Sequence, residues 1–261
     1  MRFTVSSTAL SSKLNALAKV INSKNSLPIL ADFLFDIQDN MLYLTASDSE
    51  NVINTQMELT ESDANGRFAI NNHDLLEAIK GFSEQPITFD VNLQDNIAKI
   101  SYQNGLFSLP VENADEYPQS QPITEGINTI VMPSNVLADN INRSLFATAQ
   151  DELRPVMNGI YFDLTPEHLA VVASDGHKLV RNKVFTVQSE QPASFILPKK
   201  PAGLLKNLLQ KDGGDVEIKF NERNAEINYG DGRLSCRLIE GRYPNYNSVI
   251  PQNNTNTLTV D

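Results

Sequence analysis

The residues best placed to do chemistry are Asp175-Gly176-His177-Lys178. A carboxylate two positions from an imidazole suits a general acid–base pair, and with a nucleophile it would serve a hydrolase. The same run has another reading, because Asp-Gly between apolar stretches is a strong two-residue hairpin signal. No G-x-S-x-G nucleophile elbow accompanies it. His73 and His168 sit at a helix start and in a turn, with no partner one helical turn away, and three histidines with one cysteine make a poor zinc set. Asp212-Gly213-Gly214 and Gly230-Asp231-Gly232 read as hairpin turns, since neither carries the lysine of a phosphate loop. No catalytic residue, metal ligand or cofactor is therefore assigned, and a hydrolase using Asp175 and His177 is the weaker alternative. A binding module is a further reading: Tyr243-Pro244 and the Asp175–Leu179 hairpin offer aromatic and aliphatic side chains suited to an apolar peptide.

The elements that would position these groups occur twice. Leu27-Pro28-Ile29-Leu30 with Phe33-Leu34-Phe35-Asp36-Ile37 returns as Arg154-Pro155-Val156-Met157 with Ile160-Tyr161-Phe162-Asp163-Leu164, and Ala46-Ser47-Asp48 returns as Ala173-Ser174-Asp175. The offset is 155 − 28 = 127 and again 173 − 46 = 127, the constant period of a duplication. Each copy opens on a short strand (Phe3–Val5, Thr129–Val131), followed by a helix. Thr8 or Ser7 caps the first, and Ser134 caps the second. Strand pairs, a second helix (His73–Gly81, Lys199–Lys211) and a three-strand meander complete each copy. Pro201 lies in the first turn of its helix, where a missing N–H costs nothing. Glu116-Tyr117-Pro118 and Arg242-Tyr243-Pro244 close the copies. The expected fold is α+β, with domains at 1–125 and 126–252, each placing two helices on one face of antiparallel sheets. Residues 253–261 end on Thr257-Leu258-Thr259-Val260, which looks like the opening strand of a third copy.

Composition narrows the class. One cysteine in 261 residues rules out an internal disulfide framework and fits a reducing cytoplasm. No secretory signal or membrane-length apolar run is present, so a cytoplasmic protein with no membrane partner is expected. A net charge of −11 argues against nucleic acid until its distribution is examined. The expected helices 8–24, 73–81, 134–147 and 199–211 hold nine basic residues (Lys13, Lys19, Lys24, Lys80, Arg143, Lys199, Lys200, Lys206, Lys211) against three acidic ones, a net of +6 that leaves −17 elsewhere. An electropositive helix face would attract phosphates without reading bases. The alternative is an ordinary solvated face of amphipathic helices.

With Leu27-Pro28-Ile29-Leu30, Met157-Asn158-Gly159, Ala173-Ser174-Asp175-Gly176-His177-Lys178-Leu179 and Gly241-Arg242-Tyr243-Pro244 in view, the chain resembles the bacterial DNA sliding-clamp family, the β subunit of DNA polymerase III, over essentially its whole length. That resemblance implies tandem DNA-clamp domains, three per subunit, in a head-to-tail homodimeric ring around duplex DNA, with helices lining the hole. It implies a processivity factor without catalysis that tethers the polymerase catalytic subunit, the clamp loader and repair proteins through linear peptides. The peptide pocket would comprise Met157, Ser174, Gly176, His177, Lys178, Leu179, Pro244, Ser248 and Val249. Ser248 and Lys178 depart from the basic residue and the arginine common there. DNA phosphates would meet Lys24, Lys80, Arg154, Lys199 and Lys200 without sequence preference. Phe107 and Leu109 would lie on the dimer edge, and without a third domain, starting near Thr257, half of the ring interface would be missing.

Overall fold

The computed structural model describes residues 1–22, 25, 27–118, 122–151, 153–209, 213–253 and 259. The first half runs β1 (Arg2–Ser6), α1 (Ser7–Leu17), β2 (Asp32–Gln38), β3 (Met41–Ser47), β4 (Asn51–Glu58), the two-residue β5 (Glu61–Ser62), β6 (Gly66–Asn71), α2 (Asn72–Ile79), β7 (Pro86–Asn92), β8 (Ile97–Tyr102) and β9 (Gly105–Pro110). The second half runs β10 (Asn128–Pro133), α3 (Ser134–Ser144), β11 (Gly159–Leu164), β12 (Leu169–Ser174), β13 (Leu179–Val184), β14 (Ala193–Pro198), α4 (Lys199–Leu209), β15 (Asp215–Phe220), β16 (Asn224–Tyr229) and β17 (Gly232–Arg237). The period survives folding: Ser7 and Ser134 open the first helices, Asn72 and Lys199 the second, Gly105 and Gly232 the last strands.

Strands feed straight into helices, so the last strand residue supplies the cap, one position earlier than expected. Ser6 keeps an extended backbone and its Oγ accepts from Ala9 N at 3.2 Å. Ser7 instead turns inward, donating to Ser83 O at 2.9 Å, and Thr8 holds Glu84. Asn71 caps α2 through His73 N and Asp74 N. At α3, Ser134 is the first helical residue and is buried, with Pro133 ahead of it.

Helix α1 also ends earlier than its apolar spacing implied. Val20 is buried like Leu10, Leu14 and Leu17, yet Val20 N and Ile21 N bond Leu17 O and Ala18 O, three residues back. The apolar face continues while the helix tightens into turns. Lys19 and Lys80 therefore lie just past helix ends, and Lys24 and Lys211 lie outside the described residues. Within the described helices Lys13, Arg143, Lys199, Lys200 and Lys206 face Asp74, Glu77 and Asp139, so the net is +2 rather than +6. Part of the positive charge sits at helix C-terminal ends, where the macrodipole favours it.

Among the described residues the strands form three sheets, with every pairing antiparallel. Five strands order as β5-β1-β7-β8-β9, four as β13-β12-β11-β14, and eight as β10-β15-β16-β17-β4-β3-β2-β6. The eight-stranded sheet crosses from one half to the other, because β17 lies along β4 with Leu234 opposite Ile53. The expected boundary at 125/126 falls between β9 and β10, in sequence but not in sheet hydrogen bonding. The helix pair of each half contacts strands of both its sheets. One hydrophobic cluster runs from Phe3 and Phe89, stacked at 4.8 Å, through Ile53 and Leu234 to Phe162 and Phe195, stacked at 4.6 Å. Burial of apolar surface in this shared cluster helps hold the halves together, beside the β17–β4 ladder. Thr257 lies outside the described residues, as do Leu258 and Val260.

Candidate functional site

The Asp175 segment is a hairpin loop, and its groups serve the loop. It joins β12 to β13 through four residues rather than two. Asp175 Oδ1 accepts from His177 N and Lys178 N, both at 2.9 Å, and Oδ2 holds the Lys178 ammonium. These bonds keep the Asp175 carboxyl well below the usual carboxylate range. Ser174 Oγ accepts from Gly176 N at 3.1 Å and donates to Lys178 O at 2.8 Å. Gly176 has φ +91°, and a Cβ there would lie 3.0 Å from the Arg154 guanidinium. His177 points to solvent as an exposed side chain, while the carboxylate that would orient it is occupied by backbone and lysine. The arrangement orders a loop, and it provides no acid–base pair. Among the described residues no group of His, Cys, Asp or Glu could hold a metal ion.

Behind this loop lies an apolar patch on the outer face of β11, β12 and β14. Residues Ala170, Val172, Ile196, Tyr243 and Tyr246 form its buried part, with Val156, Tyr161, Leu179, Ile239 and Ile250 packed around them. Alternation explains it: Leu169 and Val171 face the core, so Ala170 and Val172 face outward. Tyr243 stacks on Tyr161 at 4.7 Å, and Tyr246 Oη donates to Asp163 Oδ2 at 2.7 Å. Burial pushes the Tyr243 and Tyr246 hydroxyls up to about 12, and the Tyr243 hydroxyl has no hydrogen-bond partner. Gly159 lets β11 approach β14, since a Cβ would meet Leu197 O at 2.5 Å.

Of the expected pocket residues, Leu179 lines the patch, and Ser174, Gly176, His177 and Lys178 form its rim loop. Pro244 and Ser248 are exposed beside it, and Val249 is 67% exposed. Met157 is buried, with its carbonyl accepting from Ala149 N at 2.8 Å, and it is not among the side chains of the patch. Sequence reading missed Tyr161, Tyr246, Val156 and Ile250; the period-two alternation of β11 and β12 was the signal that could have found the floor of the patch.

The cationic candidates divide. Arg154, Lys178 and Lys199 surround one open cleft of about 520 Å³, with Phe146, Gln150 and Asp175 among its walls. Arg154 Nε holds Asp151 Oδ2 at 2.8 Å, and Lys199 Nζ donates to Ala149 O at 3.2 Å. Lys80 is exposed at the end of α2, paired with Glu77 at 3.0 Å. Lys200 differs: its ammonium crosses to the first half, where it holds Asp48 and donates to Val20 O at 2.7 Å. Lys13 crosses likewise to Asp231. Lys24 lies outside the described residues. Lys19 and Arg143, counted in sequence but not singled out, are exposed. Phe107 and Leu109 lie on β9, the open edge of the five-stranded sheet; Phe107 packs near Tyr102 and Phe82 at 6.0 and 6.4 Å.

Known proteins share this architecture. The family model of the DNA polymerase III beta subunit N-terminal domain matches residues 1–121, and that of the central domain matches residues 131–245. The beta sliding clamp of Haemophilus influenzae is 28% identical over 255 residues, covering 98% of this chain and 69% of the relative. That of Buchnera aphidicola is 27% identical, covering 100% and 71%. The crystal structure of DNA polymerase III subunit beta from Pseudomonas aeruginosa superposes with a TM-score of 0.90 at 24% identity, over 97% of this chain and 69% of the other. The Thermotoga maritima beta subunit gives 0.83 at 26% identity, over 96% and 68%. Matched in both successive domains and along nearly all of its length, the chain belongs to the DNA polymerase III beta-subunit family, the bacterial sliding clamps.

Proposed function

We propose that the chain holds duplex DNA against its helices through non-specific phosphate contacts while partner proteins dock a short linear peptide at the Tyr243 patch. Family membership makes it a non-catalytic processivity factor. The observation that carries the DNA reading is the cleft that gathers Arg154, Lys178 and Lys199 from an irregular loop, a hairpin and a helix start, three cations against the two carboxylates of Asp151 and Asp175. Arg154 and Lys199 reach phosphates there, Lys80 adds a contact at the end of α2, and Lys24 is a further candidate on sequence grounds. Lys200 contributes little, because its ammonium is held across the junction by two acceptors at once, the buried Asp48 carboxylate and Val20 O.

The peptide reading rests on the stacked Tyr161–Tyr243 pair with Leu179 and Val249 at its margin, an apolar floor rimmed by the ordered hairpin. The polymerase catalytic subunit, the clamp loader and repair proteins are the partners, each through a linear motif. With a third domain of the same kind the subunit closes as a head-to-tail homodimeric ring. Domains at 1–125 and 126–252 are the units of that ring. The described residues hold no helix long and apolar enough to cross a membrane.

Binding to duplex DNA over a range of salt tests the first part. Log affinity should fall linearly with log salt, with no preference among sequences, each phosphate contact contributing about 0.9 to the slope. A flat response refutes it. Titration of a short linear docking peptide from a polymerase catalytic subunit into the wild-type chain and into Leu179→Asp tests the second, and equal binding by both refutes the patch.

A further inference from the structure

An open cleft of about 420 Å³ lies where the halves meet, on the eight-stranded sheet. Its floor is one cross-strand row: Ser47 opposite Val52, Val52 opposite Ser235, Ser235 opposite Glu226. The neighbouring pair Ile53 and Leu234 faces the core, so this row faces outward, away from the helices. Four lining residues, Ser47, Ser49, Glu50 and Val52, stand one 127-residue period before Ser174, Gly176, His177 and Leu179. Pro118 and Ile123 stand 126 residues before Pro244 and Val249. Six of the nine residues expected in the peptide pocket therefore have counterparts around this cleft. The rims also match in hydrogen bonding, since Ser47 Oγ accepts from Ser49 N as Ser174 Oγ accepts from Gly176 N, both at 3.1 Å. We propose that the cleft is a second docking site, separate from the Tyr243 patch, for a short peptide anchored by one acidic side chain.

The two sites share a rim and differ in what they offer an occupant. The stacked Tyr161–Tyr243 pair of the patch corresponds to Leu34 and Tyr117, both buried in one cluster with Ile29 and Leu30. No aromatic floor is presented at the junction. Val52 and Ile123, each half-buried, leave room for one small apolar contact. The second half supplies donors instead. Arg223 and Arg237 are exposed and share one acid, Glu240, at 3.7 and 3.6 Å, too far for hydrogen bonds. A peptide carboxylate brought to these guanidiniums gains charge-assisted, bidentate bonds that Glu240 does not make. Ser235 Oγ is buried in the floor without a hydrogen-bond partner, so a polar group of the peptide satisfies it.

The acids of the cleft do not compete for the same donors. Glu226 is held by Arg233 at 3.8 Å and accepts from Asn228 Nδ2 at 3.4 Å. Glu50, exposed on the rim loop, offsets part of the arginine charge. Attraction therefore comes from short-range hydrogen bonding and not from a broad positive field, which selects one carboxylate and disfavours a run of them. That the occupant is a peptide rests on the peptide reading of the Tyr243 patch, through the matching rims. The donors and the unpartnered serine are independent of it. A chain with both sites holds two partners at once, each on the sheet side of the molecule.

Fluorescence anisotropy of the 261-residue chain with a set of acetylated, amidated pentapeptides tests it. Each peptide pairs one aspartate with one leucine or valine, and each has a matched asparagine version. Members of the aspartate set should bind, and Arg223→Gln, Arg237→Gln or the asparagine exchange should each weaken them about tenfold. Ser235→Ala should weaken them severalfold while the urea midpoint does not fall, because the hydroxyl bonds nothing within the chain. A benzophenone-bearing version of the tightest binder should cross-link to the β4 and β17 segments around Val52 and Ser235, a readout that needs no variant. An excess of the polymerase docking peptide should not displace it. Binding that is indifferent to both arginines, displacement by the docking peptide, or an aspartate set that does not bind at all would overturn the assignment. A bound docking peptide with no bound aspartate peptide sinks this site alone, whereas the reverse sinks the Tyr243 patch and leaves the cleft standing.

Discussion

Replacing Lys200 with methionine keeps the aliphatic stem and removes the ammonium that ties α4 to the first half. Asp48 has a side chain only 7% exposed, against 37% for Lys200. Breaking a fully buried pair costs about 3–5 kcal/mol, and an exposed one about 0–1 kcal/mol. This pair lies between, because Asp48 keeps Glu50 N, Asn51 N and Asn51 Nδ2 as donors. Val20 O loses its lysine donor too. The expected loss is about 1–3 kcal/mol. Urea unfolding reads it as a lower midpoint at unchanged slope. Amide exchange should quicken at Val52–Thr55 and Leu234–Cys236, where β4 meets β17. A double-mutant cycle with Asp48→Asn should show coupling of about 1 kcal/mol. The DNA salt slope should barely move, whereas Lys199→Ala should lower it by about 0.9. Unchanged urea stability together with a slope lowered by about one would show that Lys200 is a phosphate ligand and that the junction reading is wrong.

The buried carboxyl of Asp32 is raised to about 6 by desolvation and by nearby Glu112. Its proton is held more tightly in the folded chain than in the unfolded one, so this group favours folding most below about pH 4 and least above about pH 6. Asp32→Asn should remove that slope and raise stability at pH 8 by about 2–3 kcal/mol, read by thermal or urea melts at several pH values; a stability loss at pH 8 contradicts it. Tyr243→Phe should be neutral or slightly stabilising because its hydroxyl is unpartnered, while Tyr246→Phe should cost about 1–2 kcal/mol through loss of the Asp163 bond; equal costs in urea would refute the contrast. Arg154→Ala should lower the salt slope of DNA binding by about 0.9 with no change in sequence preference, and an unchanged slope would remove it from the phosphate contacts.

Much of the fold was legible in the chain because its signals are local. Leu10, Leu14 and Leu17 repeat at helical spacing, and Leu169 to Ala173 reads as a strand, while the caps Ser6 and Asn71 fall one position before the residues the sequence pointed to. The duplication is legible in the same way, since it needs only comparison of the chain with itself. The edges of elements were less so: α1 gives way to three-residue turns while its burial pattern continues, and periodicity follows burial, not hydrogen bonding.

The sequence by itself determined the two copies, the order of their elements and the rim loop that carries Asp175. Tertiary structure alone decided which strand edges are used and where the lysines spend their charge. Arg233 reaches Asn54 across 179 residues, and Lys200 reaches Asp48 across 152. No pattern within a few residues encodes such a pairing, since β17 and β9 occupy equivalent places in the repeat and, among the described residues, only β17 has a strand on both sides. The same holds for the helices, whose net charge was countable, while its availability to phosphate depended on acids brought from the other half.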